Sequence, residues 1–303
     1  MSHGIEAKPP RKPVPPGAPQ PEAFAPVEAS LVPVSGWHFL HLFYRIDRAA
    51  LARLPEAARQ QGRRELLAIL EAPIRALAHG PTGSIEGFQC FAVPGHKADF
   101  GLVMAGPDLR AIHGVQLAIQ SCPFGPALVP SYSYTSLTEI SEYVPDAEEY
   151  GRVLREREGL DPESPAYRTK VLQYANRLEG MNRQRLTPEF PDWPCLCFYP
   201  MSKMRQGEQN WYLLPFRERS EMMAQHGKSG MKFAGKVTQV ITASTGLDDW
   251  EWGVTLWSKN PSYLKEIVYT MRFDESSAKY ALFGSFYFGY ILPPAELLET
   301  LRI

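Results

Sequence analysis

One ordering of strand-like and helix-like segments occurs twice in this chain, and that repeat constrains the fold more than any other feature. Residues 36–46 (GWHFLHLFYRI) are aromatic and β-branched, a strand pattern. Residues 49–78 carry Leu51, Leu54, Leu66, Leu67, Leu70, Ile74 and Leu77 at helical spacing. A turn at Gly80–Gly83 leads to a strand at 84–92, and a turn at Gly95–Asp99 to a strand at 100–105. A helix over 107–120, with Leu109, Ile112, Val115 and Ile119 on one face, and a strand at 132–138 complete a β-α-β-β-α-β unit. The order returns as a strand at 195–201, a helix at 215–226, strands at 234–244 and 250–257, a helix at 261–270 and a strand at 281–291. Two such four-stranded antiparallel sheets pack face to face or close on each other. The predicted fold class is α+β, tandem ferredoxin-like repeats with a barrel-like core and helices outside.

The repeats divide the chain into 35–144 and 191–303, joined by a charged, helix-prone connector at 145–190. Residues 1–34 hold nine prolines and read as an extended, disordered tail, because each proline removes a backbone donor. Hydrophobic residues make up 44% of the 303, enough for a real core. With 32 Lys+Arg against 33 Asp+Glu, the net charge of −1 gives no footprint for nucleic acid or for an anionic membrane. Four scattered cysteines outline neither a disulfide framework nor a metal site. No signal peptide and no long apolar run is present, so a cytoplasmic protein is expected.

Four places could carry chemistry. His226 closes the predicted helix PFRERSEMMAQHG, with Pro215 at its start and Gly227 as its C-cap. Free carbonyls at a helix end would accept one imidazole N–H and leave the other nitrogen outward, as an axial haem-iron ligand requires. A C-capping histidine without ligand role fits the same residues. In CFYPMSK, strand alternation puts Tyr199, Met201 and Lys203 on one face, a phenol and an ammonium suited to an acidic ligand, or an ordinary strand end. Arg272 and Ser277, in MRFDESSAKY, offer carboxylate contacts or form a solvated helix terminus. Gln239 lies in an apolar, Thr-containing strand, facing either inward or outward. No Gly-rich phosphate loop, H-E-x-x-H or G-x-S-x-G is present.

The segments FYPMSKMR, NWYLLPFRERSEMMAQHGKSG, ITASTGLDDWEWGVTLW and VYTMRFDESSAKYALFGSFYFG closely resemble the coproheme decarboxylase branch of the chlorite dismutase superfamily. The likeness covers most of 195–290 and continues more weakly over 36–141, in YSYTSLTEISEY, and through RLTPEFP at 185–191. It implies a dimeric α+β barrel-type subunit, usually in a homopentamer, with porphyrin in the C-terminal half. It implies hydrogen-peroxide-dependent conversion of iron-coproporphyrin III (coproheme) to haem b, two propionates becoming vinyls with loss of two CO₂ through a tyrosyl radical. By the same resemblance, His226 is the axial iron ligand, Tyr199 the reactive tyrosine and Lys203 the lysine beside a reacting propionate. Arg185, Arg272 and Ser277 match residues around the propionates, and Gln239 the distal residue. Trp211 and Trp252 also match, and read first as packing. Chlorite-dismutating relatives carry arginine at the distal position, so glutamine favours the decarboxylase over a chlorite dismutase or generic haem peroxidase. Tyr199 favours it over a non-catalytic haem carrier. The resemblance leaves room for transient contact with an upstream ferrochelatase.

Overall fold

The computed structural model describes residues 29–303. The tail reading of 1–34 therefore lies outside the described residues except for 29–34. Residues 31–303 form one unit.

The first half contributes β1 (His38–Ile46), α1 (Arg48–Arg53), α2 (Glu56–Leu77), β2 (Gly87–Ala92), β3 (Phe100–Gly106), α3 (Leu109–Ser121) and β4 (Leu128–Thr138). Two connector helices follow, α4 (Ala147–Glu158) and α5 (Pro165–Leu186). The second half contributes β5 (Cys195–Lys203), a two-residue ribbon of β6 (Arg205–Gln206) and β7 (Gln209–Asn210), and α6 (Phe216–Met231). It continues with β8 (Val237–Ala243), β9 (Trp252–Ser258), α7 (Pro261–Met271), α8 (Glu275–Ala278), β10 (Ala281–Phe283), β11 (Tyr287–Ile291) and α9 (Pro294–Leu301).

Local chemistry sets these boundaries. Asp108 caps α3 by accepting from the amides of Arg110 and Ala111, and Asn260 caps α7 ahead of Pro261. Asp146 and Glu149 form a capping box on α4, which ends at Gly159 with φ 65°.

Each half has the strand order 2-3-1-4 of a ferredoxin-like unit, β2-β3-β1-β4 and β8-β9-β5-β11. The last strand of each half pairs with the second strand of the other, β4 with β8 and β11 with β2. All pairings are antiparallel and the ring closes, so no long sheet edge is left bare.

Three apolar layers follow from strand alternation. Phe39, Phe43, Phe91, Phe198, Val240 and Trp257 point into the barrel from both halves. Leu42, Leu66, Leu70, Ile112 and Ile119 seal the outer face of the first half under α2 and α3. Cys197, Val254, Leu256, Leu264 and Ile267 form a smaller layer under α7 on the second half.

Two expectations need correction, and one helix adds to them. Helix α6 does not stop at Gly227 but runs to Met231, because Ser229 is drawn onto a buried partner, Asp274. The expected strand at 281–291 is two strands. Pro200 of β5 stands opposite the interruption and has no N–H to donate, so the ladder breaks there. Gly284 donates to the Pro200 carbonyl at 2.8 Å, and a Cβ at Gly284 would lie 2.6 Å from the proline ring. Helix α9 was not anticipated; it adds Leu297, Leu298 and Leu301 to the first-half layer.

Candidate active site

The second half's outer face gathers most of the residues singled out by sequence. Along β5, Phe198 turns into the barrel, so Tyr199, Met201 and Lys203 turn outward. Tyr199 is 8% exposed; its ring stacks on Phe286 at 4.3 Å and meets the edge of Phe283 at 5.8 Å. The break between β10 and β11 is what brings Phe286 there. Arg272, at the end of α7, lays its guanidinium 5.3 Å from the Phe283 ring centre. Burial pushes the Tyr199 phenol far up, and Arg272 only partly offsets this. The phenol is therefore protonated throughout the physiological range.

Lys203 is 8% exposed, and its Nζ donates to the Ser276 carbonyl at 3.0 Å. Burial pulls its ammonium down to about 8, with buried Glu251 pulling the other way. Glu251 is held elsewhere: one oxygen accepts the Lys203 amide at 2.8 Å and the other lies 3.8 Å from Arg205.

His226 sits inside α6 rather than at its end, so its partner is not a free helix carbonyl. Its Nδ1 lies 3.1 Å from Oδ2 of Asp274, a carboxylate whose Oδ1 accepts the Ser229 hydroxyl at 2.7 Å. Ser277 Oγ is 3.5 Å from the same ring nitrogen, which places this serine beside the histidine. Burial holds the imidazole below its usual range, and Lys203 adds to that; Asp274 opposes it. A neutral ring with Nδ1 engaged presents Nε2 as its remaining donor atom, the state a metal ligand needs. No group of three or more His, Cys, Asp or Glu side chains suited to a metal exists among the described residues.

Gln239 is exposed and alternates with buried Val240, which belongs to the barrel interior, so the amide faces α6. Its Nε2 lies 3.7 Å from where a Cβ on Gly230 would stand, whereas a Cβ on Gly227, next to His226, would meet nothing within 4 Å. Arg185, near the end of α5, is half-buried and faces Glu139. Glu139 also contacts Trp252, whose register partners are Met201 and Ala243.

Sequence reasoning missed Asp274, Glu251 and Ser229, and passed over Trp211 as packing. The Nζ of Lys203 lies 4.1 Å from the centre of the Trp211 ring.

Fold and face together define a class: a closed α+β barrel of tandem ferredoxin-like units, sealed over one half and bearing a one-histidine polar site over the other. The chlorite dismutase family model matches residues 59–292, and the chain belongs to that family. It is 38% identical over 269 residues to a coproheme decarboxylase of Staphylococcus carnosus (strain TM300), covering 88% of this chain and 96% of that one. A haem-binding protein from Thermus thermophilus superposes with a TM-score of 0.72 at 37% identity, covering 89% of this chain and 96% of that one. A mutant chlorite dismutase of Candidatus Nitrospira defluvii shares the fold, with a TM-score of 0.64 at 17% identity over 89% of this chain and 97% of that one.

Proposed function

We propose that this protein is a peroxide-dependent coproheme decarboxylase acting in haem biosynthesis. The observation that carries the reading is a buried, protonated phenol (Tyr199) and an ammonium with no carboxylate partner among the described residues (Lys203), on the face that also bears a neutral, carboxylate-oriented histidine. The 38% identity to a coproheme decarboxylase supports it.

Coproheme, as substrate, brings the iron that hydrogen peroxide oxidises. His226 would hold that iron, with Asp274 fixing the ring through Nδ1. Lys203, Arg272 and Arg185 supply positive charge for a substrate with four propionates, and Ser277 adds a hydroxyl. Gln239, facing α6, offers a neutral amide and so gives no charge to hold an oxychlorine anion. Tyr199 gives up an electron and its phenolic proton, then recovers a hydrogen atom from the propionate β-carbon. Release of CO₂ with loss of one further electron leaves the vinyl. Each round balances as propionate, peroxide and one proton giving vinyl, CO₂ and two waters. A high phenol pKa keeps the transferable hydrogen in place.

On the family resemblance alone, the proposal extends to haem b as product, a homopentamer, a cytoplasmic setting and delivery of coproheme by a ferrochelatase. No helix among the described residues is long and apolar enough to cross a membrane. The division into 35–144, a connector at 145–190 and 191–303 belongs to the same proposal, with the porphyrin site in the last.

Tyr199→Phe tests the reading. The variant is expected to bind ferric coproheme with the wild-type spectrum and to lose decarboxylation by about a thousandfold, the scale of removing a group that acts only in the reaction. Undiminished turnover would remove the radical role.

A further inference from the structure

We propose that Trp211 is a positioning residue for Lys203, its indole holding the ammonium desolvated, charged and unpaired so that a substrate carboxylate can take it. The inference rests on the reading that Lys203 meets a propionate.

An ammonium carries three donors, and Lys203 Nζ directs one to the Ser276 carbonyl. No Asp or Glu lies within ion-pair distance of Nζ among the described residues. Glu251, the acid whose charge acts on it, is engaged by the Lys203 backbone amide and by Arg205. The Trp211 ring, with its centre 4.1 Å away, fills the place a counter-ion would take. A π-face attracts a cation without a point acceptor, so it stabilises the charge and leaves donors free. A carboxylate partner would neutralise the lysine and have to be displaced by every substrate.

The ring is built to stay in position. Trp211 is 2% exposed, and its amide donates to the Met204 carbonyl at 2.9 Å. Tyr280 packs on it at 5.4 Å, Tyr143 meets its edge at 6.3 Å, and Met222 completes the cluster. Met222 lies four residues before His226 on α6, so one indole spans the helix of the histidine and the strand of the lysine.

The test replaces Trp211 alone by ring-fluorinated tryptophan, incorporated at that one position in the full chain. Fluorine drains the π-face and leaves the shape nearly unchanged, so the variant keeps its fold. Tetrafluorination is expected to lower kcat/KM for coproheme conversion about fivefold, and Trp211→Leu about tenfold, with Trp211→Phe between wild type and Leu, in keeping with loss of a partly desolvated cation–π contact. In a Lys203→Met background both losses should vanish, because only the coupling between the two residues is removed. In the substrate-free protein, the lysine ε-methylene NMR signal that disappears in Lys203→Met should be shifted upfield by the ring and return toward its ordinary position in Trp211→Leu. Equal losses in both backgrounds, or an unshifted Lys203 signal, would reduce Trp211 to packing and overturn the proposal. A Lys203→Met variant with full activity would instead overturn the role of the lysine, and the positioning role with it.

Discussion

The two halves of the barrel share a topology and differ in what the long helix between the first and second strands of each does. Helix α2 buries Leu66 and Leu70 completely and lets Gly62 press against Phe124, where a Cβ would come within 2.6 Å of the ring. Helix α6, its counterpart, buries only Met222 and Ser229 and presents His226 beside Gly227. The second helices match, with Ile112 and Ile119 under α3 and Leu264 and Ile267 under α7. Among these matched helices the contrast is confined to α2 and α6. Full burial of a leucine side chain contributes about 1.5–3 kcal/mol, so the sealed half can carry much of the stability while its twin keeps a polar face. One half would act as scaffold for the site proposed on the other, which could not hold it if packed as tightly.

The largest effects should separate the halves cleanly. Leu70→Ala should cost about 2–5 kcal/mol by denaturant titration and leave turnover per folded molecule unchanged. His226→Ala should do the reverse: an unfolding midpoint near wild type, loss of the histidine-ligated Soret spectrum, and activity reduced at least about a hundredfold. A large activity loss in the leucine variant would show that the sealed half is no mere scaffold.

The interior that the halves share has its own acid sensitivity. His41 is fully buried, stacked on Phe198 at 4.0 Å and bonded to Thr255 at 2.8 Å, and burial lowers its pKa to about 3. A depressed histidine keeps its stabilising contribution above the unfolded pKa near 6.5 and loses it as pH falls toward 3, by about 1.4 kcal/mol per unit. His41→Phe should flatten the stability profile between pH 6.5 and 4; an unchanged slope would assign acid sensitivity elsewhere.

On the site face, Lys203 is charged below about pH 8 and neutral above it. Coproheme affinity should therefore fall as pH rises through 8, by at most about tenfold per unit, and Lys203→Met should remove that limb. A wild-type limb that begins only near 10 would mean the ammonium is not desolvated.

The smallest effects are those of two helical glycines. Gly62→Ala should destabilise by about 1–3 kcal/mol through overpacking. Gly227→Ala, with no neighbour for its Cβ, should stabilise the substrate-free protein by about 0.5–1 kcal/mol. Effects of the same sign would erase the distinction between sealed and open helix.

The fold was readable in sequence because it rests on local periodicity: alternation in the strands, three-to-four spacing in the helices. Tyr199 and Lys203 were readable for the same reason, being two steps of alternation apart. Most of what escaped depends on long-range contact. Gly227 looks like a helix stop until Ser229 is seen to reach Asp274, 45 residues on. The break at 284–286 follows from Pro200 only once the register is known. Asp274 is 48 residues from His226, and Glu251 is 48 from Lys203. Helix α9 had its signal in PPAELLETL, with leucines at helical spacing behind a proline start.

The most direct test loads the protein with ferric coproheme under anaerobic conditions, adds hydrogen peroxide stepwise and follows the porphyrin by mass spectrometry. Sequential loss of two carboxyl groups through a monovinyl intermediate is the predicted result. Intact coproheme, or bleaching without decarboxylation, would contradict the assignment of Tyr199, Lys203 and His226 to this reaction.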